Sequence, residues 1–88
     1  MSKDFDPVAK PQHYNSGRFE TIEILEDLVQ HAPDAISGGL QWQCCKYLSR
    51  LWLKGNALQD AKKAQWYLQR LISRLEAQQQ KQKQEVEE

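Results

Sequence analysis

Gly55-Asn56-Ala57-Leu58-Gln59-Asp60-Ala61-Lys62-Lys63-Ala64-Gln65-Trp66-Tyr67-Leu68-Gln69-Arg70-Leu71-Ile72-Ser73-Arg74-Leu75 is the stretch that decides the fold. Asn56 is a good N-cap, and Gln59 three residues later completes a capping box. Ala57, Ala61, Ala64, Leu68, Leu71, Ile72 and Leu75 trace one apolar stripe at helical spacing. The alanines near its start let another helix approach closely. Lys63, Tyr67, Arg70 and Arg74 share a polar face. Gly55 suits the position just past a helix end, where a left-handed residue closes the preceding helix.

That preceding helix is predicted from about Leu40 to Leu53, with Cys44, Leu48, Leu51 and Trp52 on one face. Lys46, Arg50 and Lys54 stand four residues apart and would share another face. Gly38-Gly39 reads as a break before it. A first helix is predicted from about Phe19 to His31, where Ile22, Leu25, Leu28 and Val29 recur at helical spacing. Its acidic first turn suits the helix dipole, and His31 suits its C-terminal end. Pro33 stops it. Residues 1–18 hold Pro7, Pro11 and Gly17, lack periodicity and read as an extended arm folded onto the helices. From Ala77 the chain is rich in Gln, Lys and Glu, the apolar a/d pattern stops at Leu75, and a flexible tail is expected over 77–88, with a glutamine-rich extension of the helix as the alternative. The expectation is thus an all-α, three-helix domain over 19–76 between an arm and a tail.

With 88 residues, one domain is the default, and a domain this small is marginal unless stapled or oligomeric. Three tryptophans, Trp42, Trp52 and Trp66, read most economically as core or subunit-interface residues. A homo-oligomer is therefore expected, with the third helix at the interface. Cys44 and Cys45 are adjacent, form neither a loop-closing disulfide nor a CxxC zinc motif, and read as small buried residues. The absence of a signal peptide or a long apolar run leads to an expectation of a soluble protein in the cytoplasm, with no membrane partner.

Formal net charge is zero, but the signs are segregated. Glu20, Glu23, Glu26, Asp27 and Asp34 precede the middle, whereas Lys46, Arg50, Lys54, Lys62, Lys63, Arg70 and Arg74 follow with only Asp60 among them. Such asymmetry points to an anionic partner for the second half, or to acidic and basic helices that neutralise each other. Two basic rows joined by a tight turn favour an anion site of phosphate dimensions. A nucleic acid fits less well, since the chain is not net basic and carries no helix-turn-helix, zinc-finger or RNA-binding signature. Pro11 stiffens the segment that presents His13 and Tyr14. Tyr14 can stack on a base and His13 can donate to a phosphate; a tyrosine filling a gap between helices is the plainer alternative. Glu20, Glu23 and Asp27 share a face, and carboxylates so spaced can hold Mg²⁺, but a solvated acidic face explains them more simply. There is no P-loop.

Lys10-Pro-x-His13-Tyr14, Glu20 with Ile22-Glu23, Lys46-Tyr47-Leu48-x-Arg50, Lys54-Gly55 and Asp60-Ala61-x-Lys63-Ala64-x-x-Tyr67-Leu68 together resemble the SaV-like family of small bacteriophage proteins. That family is similar in turn to the nucleotide kinase of short-tailed coliphages, which lacks a P-loop. The resemblance covers roughly residues 8–75 and implies a phage or prophage origin, a bacterial host cell and a nucleotide ligand. The expected ligand-binding set is Lys10, His13, Tyr14, Lys46, Arg50, Lys54, Lys63 and Tyr67, with Lys46 and Arg50 on phosphate. A nucleoside monophosphate kinase is one reading. A non-catalytic sponge that sequesters the nucleotide second messengers of antiviral defence is another, and a structural or interaction module without ligand is a third.

Overall fold

A computed structural model describes residues 19–87, with side chains described through residue 83. The arm expected over 1–18 lies outside the described residues. Three helices follow in order: α1, Thr21–Val29; α2, Ala35–Ser49; α3, Ala57–Glu87. The protein is all-α, and among the described residues there is no strand.

Each boundary has a local cause. Glu20 stands at the N-cap of α1, and its carbonyl accepts from the amides of Glu23 (3.1 Å) and Ile24 (3.3 Å). Glu23 lies in the first turn, where its charge complements the helix dipole. The helix ends two residues before the predicted His31, which sits in the turn that follows. The second helix corrects the expectation at both ends. It starts at Ala35, before the two glycines rather than after them, because Asp34 caps it: the Asp34 carboxylate accepts the Ser37 amide at 2.8 Å. A capped start absorbs the cost of glycines in the first turns, about 1 kcal/mol each relative to alanine. Gly38 also has a packing reason, since a Cβ there would meet the Ala32 Cβ at 3.1 Å. At the other end α2 stops at Ser49, and residues 50–55 form turns closed by Gly55 at φ 74°.

The third helix starts where the capping residues place it, with the Asp60 amide donating to the Asn56 carbonyl at 2.9 Å. It does not stop at Ala77 but continues to Glu87. Gln, Lys, Glu and Ala are all good helix formers, and no glycine or proline interrupts them. The glutamine-rich tail is therefore helical through residue 87.

Helix α2 packs against both neighbours, principally α3. The two form an antiparallel hairpin: Arg50 at the end of α2 meets Asp60 near the start of α3, and Ser37 near the start of α2 meets Arg74 far along α3. The α3 face that α2 covers consists of Ala57, Asp60, Ala64, Tyr67, Leu71, Arg74 and Gln78, all buried or half-buried and spaced alternately three and four residues apart. Helix α1 lies on α2, with the Gln41 amide donating to the Leu28 carbonyl at 3.3 Å. The core is thin. Among the described residues Leu25, Cys44 and Ala64 are the buried apolar side chains, and burial, then the neighbouring Cys45, pushes the Cys44 thiol pKa up.

Candidate functional site

One cluster near the turn end of the α2–α3 hairpin gathers aromatic rings and cations. Tyr47, in the last turn of α2, stacks on Tyr67 of α3 with ring centroids 5.9 Å apart and planes 12° from parallel. Trp66 meets Tyr67 edge-on at 5.0 Å. Three cations surround the Tyr47 ring: Lys46 Nζ at 4.8 Å, the Arg50 guanidinium at 4.7 Å and Lys63 Nζ at 5.4 Å from its centroid. A fourth, Arg70, lies 5.3 Å from the Trp66 ring. All fall within the roughly 6 Å over which a ring face attracts a cation. Tyr47, Lys63, Trp66 and Tyr67 line a shallow open pocket of about 310 Å³.

The positions follow from the helices. Lys63, Trp66, Tyr67 and Arg70 are three, four and seven residues apart and so share one flank of α3. Tyr47 reaches them from α2 because the hairpin is antiparallel. Of the eight expected site residues, the structure brings together Lys46, Arg50, Lys63 and Tyr67. Lys10, His13 and Tyr14 lie outside the described residues. Lys54 does not extend a row with Lys46 and Arg50, because α2 has ended; it lies exposed in the turn.

Arg50 is placed differently from the solvent-facing phosphate donor expected of it. Its Nε lies 3.4 Å from Asp60 Oδ2, with side chains only 13% and 4% exposed. The guanidinium thus pairs with a buried carboxylate and covers the Tyr47 ring from inside. Lys63, in contrast, is exposed at the pocket rim. Of the core and subunit-interface readings of the tryptophans, the core one does not hold for Trp66, 57% exposed on the pocket wall, or for Trp52, more exposed still. Tyr47 and Trp66 were both missing from the sequence-derived site. The signal for Trp66 was its i+3 relation to Lys63 on a face already read as polar.

A second polar cluster holds the far end of the hairpin. The Asp34 carboxylate accepts the Ser37 amide and hydroxyl, Arg74 Nη2 at 3.1 Å and Gln78 Nε2 at 3.2 Å, while Arg74 Nε donates to Ser37 Oγ. The Ser37 amide, with the Gln78, Ser37 and Arg74 side chains, outweighs desolvation and lowers the Asp34 pKa to about 2. Arg74, grouped with Lys63 and Arg70 from sequence, belongs to this clamp. Glu20 and Glu23 sit at the start of α1, and among the described residues no three His, Cys, Asp or Glu side chains converge as a metal cage would require. No helix among the described residues is long and apolar enough to cross a membrane.

Fold and site together define a small helical-hairpin protein with a cation-ringed aromatic pocket. The chain belongs to the family DUF3310, a family of proteins of unknown function, which matches over residues 8–69. That match spans the pocket residues of both helices and ends within α3. No curated protein and no solved structure matches the chain.

Proposed function

We propose that this protein binds a nucleotide at the Tyr47–Tyr67 pocket. The observation that carries the reading is the ring of lysine and arginine around a stacked tyrosine pair beside an exposed tryptophan. A nucleobase is a planar π-system that stacks on such rings, a contact contributing about 1–3 kcal/mol per base. Phosphate oxygens accept charge-assisted hydrogen bonds from ammonium groups. In this reading Trp66 offers the stacking face, while Lys63 and Lys46 take the phosphate. Arg50, held by Asp60, braces Tyr47. The resemblance to small phage proteins supports the same ligand class and a phage or prophage origin.

A thermal-shift screen of linear and cyclic nucleotides, followed by chromatography of the incubated ligand, tests the proposal. At least one nucleotide should raise the melting temperature. Conversion of the ligand would identify an enzyme, such as a kinase, and an unchanged ligand a binder, such as a sponge. Lys63→Ala is the informative variant, since the side chain is exposed and its loss spares the fold. A charge-assisted hydrogen bond contributes about 1.5–3 kcal/mol, so affinity should fall about tenfold or more. Unaltered affinity in Lys63→Ala, or no shift with any nucleotide, would leave the cluster a packing feature.

A further inference from the structure

Helix α3 carries a second seam beside the one α2 occupies. Leu58, Ala61, Gln65, Leu68, Ile72, Leu75 and Gln79 alternate three and four residues apart, the spacing of a coiled-coil contact row. The row is displaced by one residue, about 100° around the helix, from the residues that α2 covers. It lies on the flank of that contact opposite to Lys63 and Trp66. Its large apolar members are uncovered: Leu58, Leu68, Ile72 and Leu75 are 69%, 44%, 39% and 46% exposed. Among the described residues, Leu25, Cys44 and Ala64 are the buried apolar side chains. A small domain is marginal without further apolar burial, which a second copy would add.

The charges beside the row select an arrangement. Lys62, Gln69, Glu76 and Lys83 flank it on the side away from α2. Lys62 and Glu76 are exposed, and neither is in an ion pair among the described residues. In a parallel pair these positions would face the alanines, leucine and glutamine of the α2-side row, and no charge would be matched. In an antiparallel pair they face one another, with Lys62 set against Glu76 in both directions. We infer that α3 pairs antiparallel with α3 of a second copy, level with residue 70, placing Ile72 of each chain against Leu68 of the other and Lys62 against Glu76. The pairing stands apart from the nucleotide reading, because it leaves the pocket flank uncovered.

Light scattering of the full chain at micromolar concentration should give twice the 10.3 kDa chain mass. Gln69→Cys, treated with a short bis-maleimide, should cross-link the two substituted positions, as assigned by peptide mapping against the native Cys44 and Cys45. Lys62→Glu should raise the dissociation constant about tenfold by setting two carboxylates face to face twice. Lys62→Glu combined with Glu76→Lys should restore it. All these substitutions are at exposed positions, so circular dichroism should show unchanged helicity. A single-chain mass means that the row is uncovered or covered by the chain's own arm, and overturns the inference. So does a dimer in which the substituted position 69 fails to cross-link, or one that the charge swap does not restore.

Discussion

Replacing Arg50 with alanine should destabilise the fold before it affects any ligand. Asp60 is 3% exposed, and the Arg50 guanidinium 3.4 Å away is the cation that compensates its charge. Removing that partner leaves a carboxylate in a low-dielectric seam between Ala57 and Ala64, where water cannot replace what is lost. Orphaning one member of a buried ion pair costs about 3–5 kcal/mol. The 3.4 Å separation, longer than a well-formed charged hydrogen bond, places this pair near the lower end, at about 3 kcal/mol. A domain of this length has roughly 5–10 kcal/mol in total, and its melting temperature falls about 4–8 °C per kcal/mol. Thermal melts followed by circular dichroism at fixed protein concentration should therefore drop by roughly 12–24 °C in Arg50→Ala. The double variant Arg50→Met, Asp60→Leu removes both charges and should recover most of the loss, since apolar replacement of a buried pair is often neutral. If Arg50→Ala melts within about 3 °C of wild type, less than 1 kcal/mol is involved, and the Arg50–Asp60 contact is not holding the hairpin together.

Two further outcomes follow from the polar clamp and the glycines. The Asp34 pKa of about 2 lies below its ordinary 3.8, so the unfolded chain takes up the proton first as pH falls. The clamp's contribution is complete above about pH 4 and disappears toward pH 2; urea midpoints of wild type and Asp34→Asn should differ most at pH 5 and converge near pH 2. Gly39→Ala meets no atom within 4 Å and should stabilise α2 by about 0.5–1 kcal/mol. Gly38→Ala, pressed against Ala32 at 3.1 Å, should give less than that or reverse the sign in the same denaturation assay.

The start of α3 was readable because its determinants are local. Gly55, Asn56 and the alanine-rich first turns act within a few residues of themselves, and nothing distant contradicts them. The end of α2 was not readable that way. Helical spacing continued smoothly through Lys54, yet the chain turns after Ser49. Arg50 pairs there with a residue ten positions later, and only the hairpin brings the two together. The start of α2 was partly legible: Asp34 with Ser37 is a capping signature, and it outweighs the glycine pair that on its own reads as a break. Apolar content does not decide between a flexible tail and a glutamine-rich extension of α3; polar helix formers suffice in continuation of a long nucleated helix, and α3 runs to Glu87.

The sequence by itself determined an all-α domain, the point at which its longest helix begins, and the supply of lysines, arginines and aromatic rings that the Tyr47–Tyr67 cluster gathers. Those follow from backbone propensity, capping and composition, which are properties of neighbours along the chain. Only the tertiary structure decided which cations face solvent and which are held by a buried carboxylate. It also decided that Trp66 lines a pocket, and that α3's single apolar stripe divides into one row covered by α2 and one left open. Those depend on which helix faces meet, and that is settled by packing between residues far apart in the chain.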